Sequence, residues 1–481
     1  FIKTINDKRF NWCFKTEASQ GVNNREIFFP RGKGFGGSSS INGHLYVRGQ
    51  PDDYNQWAQL GNLGWGYDDI LPYFKKSEYR ADGNDEYRGK DGPLFVTDIV
   101  EKHPICEEFI KGSKELGIAL QQDYNSGNQE GIFYYQRTIK NGMRFSASDA
   151  FLKPALKRKN LEIHSNTMVL NIIFENKKAI GLVCKKNNKI FKIFAEKEII
   201  LCAGAIGTPH LLQVSGVGNP EHLKNIGVSV VHENKNIGEG LQDHYAVRVS
   251  NSINKPVSLN ERARGYKLAL EIMKWFILKK GLISYSPAHV GAFLKSSPEI
   301  DLPDLQFVFT PASYTEGMIG KLQNTPGITC GVWQSRPHSR GYVKAISNDI
   351  NAPPLIQPNY LKEQIDQDLM IEGVKRCRAL LKTSNINEIS LRENLPGKDI
   401  KTDKEILDYI RNNGGTVYHA IGSCRMGIDN NAVVNSELKV NGIQNLRIAD
   451  ASIMPTMPSG NTNAATMMIA EKASDLIKKE M

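Results

Sequence analysis

Residues Glu198–Gly218 read EIILCAGAIGTPHLLQVSGVG. Ile199, Ile200 and Leu201 make a short apolar run that closes on Gly204, the pattern of a strand buried on both faces. Thr208-Pro209 then offers an N-cap and a proline for a first helical turn, and Leu211, Leu212 and Val214 begin an apolar helix face. Strand, glycine turn and helix in that order is the local grammar of a nucleotide-binding α/β fold.

Working outward, Met168–Phe174, Gly181–Lys185 and Ile190–Ala195 are β-rich runs broken at Glu175-Asn176 and Asn187-Asn188, which predicts a meander feeding that strand. The nucleotide-binding style returns near the end. Asn445–Ala449 reads as a strand with Asp450 at its exit, and Thr462–Lys479 as a long amphipathic helix. Between them, Leu305–Phe309, Ile328–Trp333 and Gly341–Ala345 predict a separate antiparallel sheet flanked by helices such as Tyr266–Lys279. Asp68–Phe74, Ile105–Leu116, Gln364–Thr383 and Asp403–Asn412 also read as helices.

The chain has 481 residues, 40% hydrophobic and 23% charged, which is globular usage with room for two or three domains. Its net charge of +10 is spread among interleaved acids and no nucleic-acid motif accompanies it, so nucleic acid is not expected as a partner. The 7 cysteines are scattered and never spaced C-x-x-C, which argues against a disulfide framework or a zinc site and for a reducing compartment. No apolar run reaches the roughly 18 residues of a membrane span. The sequence opens at Phe1 without a signal-peptide pattern. No G-x-S-x-G occurs, which removes a serine-hydrolase reading.

Phe28–Gly49, FFPRGKGFGGSSSINGHLYVRG, contains a literal G-x-G-x-x-G at Gly32–Gly37. As a dinucleotide fingerprint it lacks a strand directly before it and a helix opening at its last glycines. A ligand-contacting loop fits better, its three serines and Asn42 being able to hydrogen-bond a ring edge or a pyrophosphate. Among ten histidines, His419 stands apart: it follows Gly414-Gly415 in a Gly/Ser/Cys-rich turn that suits the wall of a site. Asn461, just before the last helix, reads as its N-cap.

Taken together, RGKGFGGSSSINGHLYVRG with GWGYDDILPYF, the GAIGTPHLLQVSGVG block, NIGEGLQDH (236–244), RPHSRGYV (336–343), VYHAIGSCRMG (417–427) and RIADASIMP with SGNTNAATMMIAEKASDLI (447–477) resemble the glucose–methanol–choline (GMC) oxidoreductase family, in family order across the chain. The resemblance implies an α/β FAD-binding domain, Rossmann-like and discontinuous, plus an α+β substrate domain with an antiparallel sheet. It divides the chain into an FAD-binding region at 1–244, a substrate-domain part at 245–335, and 336–475, which supplies substrate sheet and then returns to the FAD domain with the catalytic histidine. It implies His419 as the base and Asn461 as its partner on the substrate oxygen. The same resemblance points to Gly37, Ser38, Asn42, Gly43, His44, Leu45, Val169, Asp450, Ala451 and Thr462 as FAD contacts. Ile41 stands where members with covalent flavin carry histidine, so the FAD is expected to be non-covalent. The implied reaction is oxidation of a primary alcohol or choline-like substrate, with electrons passing to a quinone or carrier protein, or to oxygen. A cytoplasmic enzyme in peripheral contact with the inner membrane goes with it. The family's own G-x-G-x-x-G unit precedes every block found here, so the sequence predicts a missing N-terminal strand–turn–helix and, as the alternative to an enzyme, a fragment without FAD.

Overall fold

The computed structural model describes residues 2–255, 257–315 and 321–480. Two hydrophobic cores organise them. The first gathers Trp57, Trp65, Leu212, Val434, Ile448 and Met468; the second gathers Val247, Phe307, Val332, Met370 and Val374.

Over the first core, strands Ile199–Leu201 and Leu446–Ile448 pair in parallel, flanked by helices Gly204–Val214 and Asn463–Lys479. The meander forms as expected, strands Met168–Glu175, Lys178–Lys186 and Lys189–Phe194 pairing antiparallel in order. Its two turns place Asn176-Lys177 and Asn187-Asn188 at positive φ, the conformation a tight hairpin needs and asparagine tolerates.

Two expectations for the opening stretch are corrected. Ile199 and Leu201 are buried, but Ile200 is 41% exposed, so the strand has one buried face. The helix starts at Gly204 rather than Thr208, and Pro209 lies inside it. Gly204 takes a φ of +79° and donates its N–H to Asp450 Oδ2 at 2.9 Å, while Thr208 Oγ1 donates to the same oxygen at 2.6 Å. A proline at that point removes the N–H that would bond the Ala205 carbonyl. Ser423 Oγ takes its place, donating to Ala205 O at 2.6 Å in a fully buried setting. Ser423→Ala is therefore expected to cost about 1–3 kcal/mol by orphaning that carbonyl, read as a lower denaturation midpoint at unchanged slope.

Over the second core lies a seven-stranded sheet. Its path runs Ser390–Leu395, Tyr245–Ile253, Gly327–Gln334, Leu305–Thr310, Val290–Leu294, Gly131–Tyr134, every pairing antiparallel. Boundaries at 244 and 335 fall at strand ends; Ser390–Leu395 and Gly415–Thr416 join the sheet from the third segment and Gly131–Tyr134 from the first. Gly341–Lys344 does not belong to this sheet. It pairs with Glu239–Leu241 and Leu355–Gln357 in a small sheet of its own. Strand periodicity assigns the two faces. Leu305, Phe307 and Phe309, with Ile328, Cys330 and Val332, join the core with helices Pro104–Ser113 and Gln364–Leu381; Phe109 stacks on Phe309 at 3.9 Å. The alternate residues Val308, Thr310, Thr329, Gly331 and Trp333 face a cavity between the two halves.

Candidate active site

That cavity measures about 1560 Å³, larger than the roughly 300–1,000 Å³ of an ordinary small-ligand pocket. It has room for a dinucleotide-sized group and a small substrate together. Gly37, Ser38, Asn42, Gly43, His44, Leu45, Val169, Asp450, Ala451 and Thr462 all line it, as do His419 and Asn461.

The loop at one end differs in detail from its sequence reading. Strand Phe28–Phe29 precedes it and a single 3-10 turn, Gly37–Ser40, follows, so Gly32–Gly37 opens no long helix. Its serines close the loop on itself. Ser39 Oγ donates to Gly36 O, Ser40 Oγ donates to Phe35 O, and Ser38 Oγ accepts from Gly32 N–H. Asn42 Oδ1 is likewise held by Arg144 Nη1 at 2.8 Å. The loop offers a ligand its backbone beside the Ser38 hydroxyl and the Asn42 amide, which line the cavity. At Gly37 and at Gly204 across the cavity, φ is positive and a Cβ would meet nothing within 4 Å, so a bound group can approach both closely. His44, also at positive φ, is buried, and among the described residues its Nδ1 has no partner. Burial, then Arg144, holds its pKa well below the usual range, leaving a neutral ring beside the space. An open glycine-walled cleft with an orphaned buried nitrogen fits FAD.

Asp450 also joins two elements of the site. Its carboxylate is engaged by Gly204 N–H, Thr208 Oγ1 and Ser452 N–H. It pins the helix start to the strand end at the cavity wall. Val169 is tied into the meander opposite Cys184. Thr462, not Asn461, is the N-cap of helix Asn463–Lys479. The N-terminus of this 17-residue helix, with Asn463 and Thr466, borders the cavity, so its positive dipole end faces whatever binds there.

Released from capping, Asn461 turns to His419: Nδ2 lies 2.9 Å from His419 Nε2, and Oδ1 accepts from Gln306 Nε2 at 3.3 Å. His419 Nδ1 lies 2.8 Å from His244 Nδ1, and His244 Nε2 lies 2.8 Å from the Ser335 carbonyl. This chain of contacts fixes the protons. A carbonyl only accepts, so His244 Nε2 carries hydrogen. Burial lowers the His244 pKa to about 4, so the ring is neutral and its Nδ1 is an acceptor. His419 Nδ1 must then donate, which leaves His419 Nε2 unprotonated and accepting from the Asn461 amide. Burial first, then His244 and Arg31, hold the His419 pKa well below the usual value. The site therefore presents a neutral imidazole with its basic nitrogen beside an amide donor.

The loop carrying His419 is fixed as firmly. Tyr418 sits at φ +73°, rare for an aromatic residue. Asp243 holds the turn by accepting from His419 N–H at 2.6 Å and from the hydroxyls of Thr416 and Tyr360. Sequence reading did not single out Asp243, His244, Gln306 or Ser335. The block ending in Asp243-His244 carried the signal, but one histidine among ten has no spacing that ties it to a partner 175 residues away.

Comparison with known proteins identifies the family. Residues 14–246 and 337–470 match the two profiles described as GMC oxidoreductase. The chain is 37% identical over 480 residues to human mitochondrial choline dehydrogenase, covering 99% of this chain and 80% of that one. It is 38% identical over 484 residues to alcohol dehydrogenase [acceptor] of Pseudomonas putida, covering 99% and 87%. Among solved structures, pyridoxine 4-oxidase from Mesorbium loti superposes with a TM-score of 0.89 at 28% identity, covering 98% of this chain and 89% of that one. The N-terminal profile matches from residue 14, and the expectation of a missing strand–turn–helix unit gains no support from it.

Proposed function

The chain belongs to the GMC oxidoreductase family and acts on alcohols with FAD, and from that premise we propose how its own residues carry the oxidation. His419 takes the hydroxyl proton at Nε2. Asn461 donates its amide N–H to the same alcohol oxygen and holds it against the base. When bound, FAD supplies the acceptor for the hydrogen leaving the alcohol carbon. The helix terminus at Thr462 and Asn463 aims preorganised N–H groups where negative charge gathers. The observation that carries this reading is the contact chain from His419 through His244 to the Ser335 carbonyl, from which a proton-free Nε2 is inferred.

FAD is held non-covalently in this reading, since Ile41 lines the cavity with no nucleophilic atom. Gly37, Ser38, Asn42, Gly43, His44, Leu45, Val169, Ala451 and Thr462 wall the cofactor half, and Asp450 acts by fixing its neighbours. The substrate half is walled by Leu259, Val308, Ala312, Leu322 and Trp333, with the Arg248 guanidinium 5.4 Å from the Tyr314 ring. Apolar walls beside a fixed cation favour a neutral primary alcohol over a quaternary ammonium one. Electrons leave to a quinone or carrier protein; the enzyme works in the cytoplasm against the inner membrane, a reducing setting that suits seven free cysteines.

Anaerobic titration of the FAD-loaded protein tests this. The neutral alcohol 3,3-dimethylbutan-1-ol should bleach the flavin at least about tenfold faster than its cationic isostere choline, a difference of about 1.4 kcal/mol. Preference for choline would remove the substrate assignment and leave alcohol oxidation standing. Bleaching by no alcohol would remove the oxidation itself. Rapid reoxidation of the reduced protein by air would make it an oxidase.

A further inference from the structure

Helix Gly265–Leu278 presents its faces in reverse for a protein in water. Three of its polar side chains turn inward: Glu271 accepts from Arg262 at 2.6 Å, Lys274 reaches Glu101 at 2.8 Å, and Trp275 Nε1 donates to Gly142 O at 2.9 Å. These bonds fix the helix in this orientation. The opposite face is apolar and bare. Tyr266 is 74% exposed, Met273 52%, Phe276 65% and Ile277 78%, with Leu270 between them at 52%. Positions 266, 270, 273 and 277 form one helical stripe. Monomers rarely leave such a stripe in water without a partner.

Charge around the stripe identifies the partner. Lys267 and Lys280 are exposed at its edge and form no ion pair among the described residues; Lys279 lies over the Trp275 ring at 4.2 Å. The helix's one acid, Glu271, is tied inward. An apolar stripe with a cationic rim is the pattern of a helix lying in an anionic lipid interface. No described helix is long and apolar enough to cross a membrane, so contact of this kind is superficial. The segments on either side of the helix reach the cavity, Ala263 before it and Leu282 and Tyr285 after it.

We propose that Gly265–Leu278 seats its Tyr266–Met273–Phe276–Ile277 face in the headgroup layer of an anionic bilayer, bringing the cavity mouth to the lipid surface. This deepens the membrane contact proposed above and rests on that part of the reading alone, not on which alcohol is oxidised or which acceptor is used. Vesicle flotation of the FAD-loaded protein tests it, with three-to-one phosphatidylcholine–phosphatidylglycerol vesicles compared with phosphatidylcholine alone. Wild type should float with the anionic vesicles and be weakened by salt. Phe276→Ser with Ile277→Ser should lower binding by about tenfold or more, with flavin reduction by a soluble alcohol unchanged, which separates lost docking from lost folding. Failure of wild type to bind anionic vesicles, or equal binding by the double variant, would overturn the proposal. A wild-type dimer in light scattering that the double variant converts to monomer would assign the face to a second copy and overturn it as well.

Discussion

His419→Ala should lower kcat for alcohol oxidation by about 10²- to 10⁴-fold while bound FAD is retained. The imidazole faces the cavity through Nε2 and is held by two hydrogen bonds, to His244 and Asn461. Deleting it removes the base without touching the glycine walls at Gly37 and Gly204 or the helix start held by Asp450. The pH dependence gives a second reading of the same group. A base works only when neutral, so activity is full above its pKa and falls as pH drops through it. The His419 value is held below the ordinary one of about 6.5. The acid limb of kcat/KM should therefore lie below about pH 6.5 and disappear in the alanine variant. A variant with near-wild-type turnover, or an acid limb above the ordinary histidine range, would remove the proposed mechanism.

Much of the frame was legible because it follows periodicity. The hairpin turns at Asn176 and Asn187 announced the meander, and the β-rich runs Leu305–Phe309 and Ile328–Trp333 announced an antiparallel sheet. The helix start at Gly204 was not legible. A Thr-Pro pair ordinarily marks a first turn, and the Ser423 hydroxyl that bonds the Ala205 carbonyl lies 218 residues away in the sequence. Asn461 shows the same limit. Local chemistry favoured a cap, but the helix took Thr462 instead, and contacts to His419 and Gln306 decided the side chain's direction. Sheet membership was not legible where partners lie far along the chain: Gly131–Tyr134 and Ser390–Leu395 went unread, and Gly341–Ala345 was assigned to the wrong sheet. The exposed stripe on Gly265–Leu278 was hidden for a different reason. Periodicity reports that a helix has an apolar face, not which way the face points.

His244→Leu should cost about 10²-fold in kcat with little change in KM, although His244 touches neither alcohol nor flavin in the proposed mechanism. Its Nδ1 is the acceptor that keeps the proton on His419 Nδ1. Without it, His419 can shift to the other tautomer, whose Nε2 carries hydrogen and cannot take a proton. The Asn461 amide would then face a donor with a donor at 2.9 Å. His244→Asn restores a carbonyl oxygen near the Nδ1 position and should recover most of the loss, since only an acceptor is required there. A purely packing role predicts the reverse. Leucine fills the apolar space beside Trp333 better than asparagine does, and would be the milder change. Nitrogen-15 shifts of the His419 ring give an independent readout, reporting hydrogen on Nδ1 in wild type and in His244→Asn, and a mixture in His244→Leu. Equal rates for the leucine and asparagine variants, with an unchanged tautomer, would show that His244 does not position the base.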